Sequence, residues 1–204
     1  MRLKWILITL SAIAVIVVVS SLYLITLWGA YSRHWEGPAM MTIANVLPIP
    51  AARFSGQPIR LSDYLRDVRS IETFLSSEDA KQQGLARPLT MEDRKQALDR
   101  LLKEQAIEEL AYIRKVDVTP SEIDEAMAVE FNTEGAQEQD FEQFLQSTYG
   151  WSIEDFKQHV VRPALLTRKL AASYAVDHGN DPQALERYLE ERITRPDVIR
   201  YIRF

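Results

Sequence analysis

Asp155 and His159 stand four residues apart, with Glu154 beside the first, and on a helix that spacing puts a carboxylate and an imidazole on one face. Such a pair could hold a metal or relay a proton, but it needs convergent partners. The other two histidines, His34 and His178, are distant in sequence, and the chain has no cysteine, which excludes disulfides, thiolate metal sites and thiol nucleophiles. As a helix-surface pair it contributes ~0.2–0.5 kcal/mol. Glu108-Glu109 and Glu190-Glu191 are ordinary solvated carboxylates, since nothing in the sequence turns them toward one cleft. No Gly-rich phosphate loop, Gly-x-Ser-x-Gly turn or His-Glu-x-x-His helix occurs. The sequence calls for no metal, no cofactor and no catalytic grouping.

A different chemistry is open to the apolar residues. Phe74, Phe131, Phe141, Phe144, Tyr149, Trp151 and Phe156 cluster in the second half of the chain. Aromatic and methionine side chains offer large, adaptable contact area, as a surface that grips varied apolar partners requires. For any one of them, filling of a helical core is the favoured explanation, since helical spacing accounts for it without a ligand. Met127, Phe131, Phe141, Phe144 and Trp151 are the candidates for lining a groove, because they lie on short helices beside a polar loop.

These residues must be positioned by a mostly helical chain of 204 residues, enough for one ordinary domain. Trp5 to Trp28 is uncharged over 24 residues. As a helix it would be about 36 Å long, enough for a hydrocarbon core of about 30 Å. A cleaved signal peptide is the competing reading, but the run is long and ends in a poor cleavage site at Leu27-Trp28-Gly29-Ala30-Tyr31. The sequence therefore predicts a transmembrane signal-anchor over 5–28 in contact with the lipid bilayer. Arg2 and Lys4 would hold residues 1–4 in the cytoplasm and send the rest across as a single-pass, extracytoplasmic domain. Beyond residue 28 there are 22 basic and 29 acidic side chains, a net −7. That balance lacks the footprint of a nucleic-acid binder.

Residues 29–50 read as a tether, broken by Pro38, Pro48 and Pro50. The domain then occupies 51–204. Ser55-Gly56 between two short runs predicts a hairpin over 51–61, with Pro58 weakening its second strand. Ser62 is placed to cap a helix running to about Gln83, with Gly84 as its stop. Thr90 with Asp93 opens the longest helix, whose apolar stripe includes Leu98, Leu102, Ala106 and Leu110. Thr119-Pro120-Ser121-Glu122 starts a helix that fades near 132–135, and Asp140 starts another that Gly150 ends. Ser152 with Asp155 caps a helix from Ile153 to about Ala175, kinked at Pro163. A helix from Gln183 to about Ile193 follows. The alternating, branched stretch from Val198 to Phe204 suits a strand, and the hairpin is its evident partner. The expected architecture is mostly α: a transmembrane helix and a helical domain whose two ends meet in a small antiparallel sheet.

The order of these pieces resembles the N-terminal domain of SurA-type and PrsA-type extracytoplasmic chaperones. It rests on the strand and Gly turn at Ala51-Ala52-Arg53-Phe54-Ser55-Gly56-Gln57-Pro58-Ile59 before Ser62-Asp63-Tyr64, then on Val118-Thr119-Pro120-Ser121-Glu122-Ile123-Asp124, and on Gly150-Trp151-Ser152-Ile153-Glu154-Asp155-Phe156. It spans about 50–175 and extends less firmly over 176–204. The resemblance implies a bacterial-envelope holdase that binds unfolded or newly exported polypeptides in an apolar cleft without ATP. Many such proteins also carry a parvulin-type isomerase domain; with 29 residues after Ala175, prolyl isomerisation is not expected. Two other functions remain open: an adaptor docking one fixed envelope partner, and an enzyme scaffold acting on cell-wall polymer.

Overall fold

The computed structural model describes the backbone of residues 2–134 and 138–204 and the side chains of 16–129 and 139–204. Two strands begin the sheet: β1 (Pro50–Phe54) and β2 (Gln57–Arg60) pair antiparallel, Ala52 opposite Ile59 and Phe54 opposite Gln57. Their turn needs φ of +48° at Ser55 and +82° at Gly56, and a positive φ at both central residues matches the twist of the two strands. Near the C-terminus β3 (Val198–Arg200) pairs with the other side of β1, giving the order β2-β1-β3. The expected closure of the two chain ends into one small sheet is therefore present. Pro58 is tolerated because β2 is an edge strand, where a missing N–H costs no ladder bond.

Around this sheet lie α3 (Leu61–Ser76), α4 (Glu78–Gln82), α5 (Met91–Arg114) and α6 (Pro120–Glu134), then α7 (Glu138–Thr148), α8 (Ile153–Phe156), α9 (Arg162–Asp177) and α10 (Ala184–Arg192). The longest of the helices behind the sheet, α5, starts at a full capping box: the Thr90 hydroxyl accepts from the Asp93 amide, and the Asp93 carboxylate accepts from the Thr90 amide. Its Leu98, Leu102 and Ala106 are completely buried and meet Leu166 and Leu170 of α9 and Tyr64 and Val68 of α3. Each such leucine removes apolar surface worth about 1.5–3 kcal/mol from water.

Three local expectations change. Ser62 does not cap α3, which begins at Leu61 with Ser62 already buried. The helix expected to reach Gln83 is divided at Ser77, whose hydroxyl accepts from the Ala80 amide 3.1 Å away and so starts α4. Pro163 acts not as a simple kink but through a π-helical turn over Lys157–Val161, which leads into α9 with the proline in its first turn. Proline offers no amide to the His159 carbonyl, and Arg100 Nη1 approaches that oxygen at 3.5 Å.

The N-terminal expectation requires a larger correction. α1 (Arg2–Ser32) is helical, but among the described residues no helix is long and apolar enough to cross a membrane. Residues 5–15 of the expected transmembrane span lie outside the described side chains. On the finding that no described helix is long and apolar enough, the transmembrane helix in the expected fold class and the single-pass location with the N-terminus inside fall. What the structure does show is the end of α1 joined to the domain. Ala30 is buried, Tyr31 stacks on Tyr201 at 5.7 Å, and the Tyr31 hydroxyl donates to the Pro50 carbonyl at 2.9 Å. Trp35 lies so close over Gly29 that a Cβ there would meet its ring at 2.3 Å. Within 29–50, read from sequence as a tether, α2 (Pro38–Val46) forms and places Met40 and Ala44 in the core.

Candidate functional site

On the side of the helical layer away from the sheet, α6, α7 and the α8–α9 segment enclose a cavity of about 780 Å³. α6 contributes Ala126 and Met127; α7 contributes Phe141, Phe144 and Leu145. Tyr149 and Trp151, in the link after α7, close one end. The remaining wall is one stripe through the π turn and α9: Val160, Val161, Ala164, Leu165 and Arg168. The sequence candidates Met127, Phe141, Phe144 and Trp151 thus meet around one cavity. Phe131 has its side chain outside the described residues.

The rings form a connected set. Phe141 meets Phe156 edge-on at 5.2 Å, Phe144 meets Tyr149 edge-on at 6.0 Å, and Tyr149 leans on Trp151 at 5.9 Å. Behind them Phe74 of α3 stacks on Tyr149 at 5.6 Å. Trp151 is fixed from below: its indole N–H donates to the Ser70 hydroxyl, which donates to the Arg66 carbonyl at 3.0 Å. Met127 and Trp151 are almost fully buried, whereas Phe144 is 41% exposed, so the floor is packed and the mouth offers exposed aromatic surface. A cavity with such a lining can accept apolar groups by desolvation.

The Asp155–His159 pair does not converge. Asp155 is spent on the cap of α8, accepting from the Ser152 hydroxyl at 2.7 Å and amide at 3.1 Å, and these bonds hold its carboxyl below the ordinary range. His159 Nε2 lies 3.2 Å from Arg66 Nη1; a guanidinium can only donate, so Nε2 accepts. Among the described residues no His, Cys, Asp and Glu group is arranged to hold a metal ion.

Sequence reading missed the α9 wall. Its signal was present, since Val160/Val161, Ala164/Leu165 and Arg168 follow the three- and four-residue spacing of one helix face. Pro163 drew attention to the kink and away from that face.

The family comparison agrees with this architecture. The chain is of a chaperone-type family. It belongs to the SurA-like N-terminal domain family, whose model matches residues 2–171, from α1 into α9. No parvulin domain matches the chain. No curated protein and no solved structure matches it.

Proposed function

We propose that the protein is a holdase that binds unfolded polypeptides by burying their apolar segments in the groove between α6, α7 and α9, without ATP. One observation carries this reading: an aromatic-lined cavity of about 780 Å³ stays open between α6, α7 and α9. Transfer of one client phenylalanine or leucine into it is worth about 1.5–3 kcal/mol, which suits weak, reversible and sequence-tolerant binding. The net charge of −5 keeps the chain soluble while a client occupies it. Membership of a chaperone-type family supports the same reading.

The test is aggregation suppression by the full chain. It should protect several unrelated unfolded proteins at near-stoichiometric ratios. Ala164→Trp, at an exposed wall position, fills the groove, and Phe144→Glu charges its mouth. Each is expected to weaken client binding about tenfold or more at unchanged thermal stability. Protection unaffected by both variants defeats the groove reading. Binding of a single defined partner, with no protection of others, would make the protein an adaptor instead.

A further inference from the structure

The groove is apolar except at one place. Of its described lining residues only Arg168 is charged, and it stands at the end of the α9 stripe, one turn beyond Ala164. Every other cation between 157 and 169 is held by a carboxylate: Lys157 by Asp124 at 2.6 Å, Arg162 by Glu108, and Lys169 by Glu122 at 2.5 Å. Arg168 has no hydrogen-bond or ion-pair partner among the described residues and is exposed. In a chain with 29 acidic side chains against 24 basic, a guanidinium left unpaired beside an otherwise neutral groove presents one sign of charge to whatever enters. On α6, Asp124 and Glu122 are paired with Lys157 and Lys169.

Resting on the holdase reading, we infer that Arg168 selects client segments in which an acidic side chain follows a bulky apolar run. The apolar residues occupy the floor between Trp151 and Leu165 while the carboxylate meets the guanidinium in a two-pronged hydrogen-bonded pair. A lysine at the same client position meets a like charge and is disfavoured. The preference belongs to a side chain within the segment rather than to a chain end, because the mouth is open and an extended segment can continue past it.

Fluorescence anisotropy with the full chain tests this. The probes are labelled, C-terminally amidated peptides sharing the core Ser-Phe-Leu-Phe, followed by Glu, Gln or Lys. The Glu peptide should bind about three- to tenfold more tightly than the Lys peptide, with Gln between them, a gap that narrows as salt rises. Arg168→Glu should invert the order, and Arg168→Gln should abolish it. A non-amidated peptide lacking Glu that gained as much as the Glu peptide would overturn the assignment to a side chain and transfer it to a chain end. Equal binding of all three peptides, or an order that survives Arg168→Glu, refutes the inference but leaves the groove standing. Failure of every peptide to bind defeats both.

Discussion

Replacing Arg192 with alanine is expected to cost about 2–4 kcal/mol of folding free energy, more than any other single polar change in the domain. Arg192 is only 4% exposed and gathers four parts of the chain around one guanidinium. Its Nε and Nη2 grip both oxygens of Glu109 on α5, at 2.7 and 3.0 Å. Nη1 and Nη2 reach Asp197, just before β3, at 3.2 and 3.0 Å. Nη2 also donates to Ser55 in the β1–β2 turn, and the group lies 4.2 Å above the ring of Phe54. Both carboxylates keep some contact with water, which places the loss below that of a fully enclosed ion pair. Arg192→Lys restores charge but not the fork and should recover less than half of the loss. Arg192 also holds the Glu109 and Asp197 carboxyls below their ordinary range by hydrogen bonding. Their contribution is thus complete above the ordinary carboxylate pKa and is lost as pH falls through the lowered values, a dependence that Arg192→Ala should flatten. Urea unfolding at neutral pH supplies the measurement; a midpoint shift equivalent to less than about 1 kcal/mol at constant slope would show the clamp to be incidental.

None of that clamp could be read from sequence, and the reason bears on the rest of the molecule. Local signals were legible wherever the chemistry is local. Thr90/Asp93, Thr119/Glu122 and Ser152/Asp155 form the caps that their spacing announces. Ser55-Gly56 makes the turn, and the alternating C-terminal stretch finds the hairpin. Ser55, Glu109 and the Arg192–Asp197 stretch are remote from one another in sequence, and an isolated arginine near two glutamates on a predicted helix has no periodic signature. The groove sits between these cases. Phe141, Phe144, Trp151 and Met127 stood out as residue types, but the choice between core and groove depends on how α7 lies against α9, which is a tertiary fact. The N-terminal reading failed differently: hydropathy over 5–28 registered composition alone, whereas the end of α1 and one face of α2 are packed against the domain through Ala30, Tyr31, Met40 and Ala44.

The second large effect is a stability that declines with rising pH because of one carboxyl. Arg100 of α5 stands between Asp67 of α3, which is 5% exposed, and Glu104, one turn further along α5 at 2.7 Å. Around them face Asp63 and Arg66 from α3, Glu108 from α5, and His159 and Arg162 from the π turn and α9. One guanidinium cannot fully compensate two largely enclosed anions. Burial pushes Glu104 up to about 7, Arg100 offsets this only in part, and the negative charges of Asp67, Glu108 and Asp63 push it further. Burial raises Asp67 as well, against the pull of Arg100. The unfolded chain releases the Glu104 proton near the ordinary carboxylate value, about 4.3, so between that value and 7 the folded state holds the extra proton. Stability from this group is complete below the unfolded pKa and is lost as pH rises through the folded one. Glu104→Gln, which stays neutral, should match the wild type below about pH 4 and exceed it by about 1–3 kcal/mol at about pH 8. The difference between the two proteins is the informative quantity, since it cancels the opposite slope contributed by Glu109 and Asp197. Wild-type and Glu104→Gln stability curves running parallel across that interval would mean that Glu104 is ionised in the folded protein throughout, and that Arg100 serves both carboxylates after all.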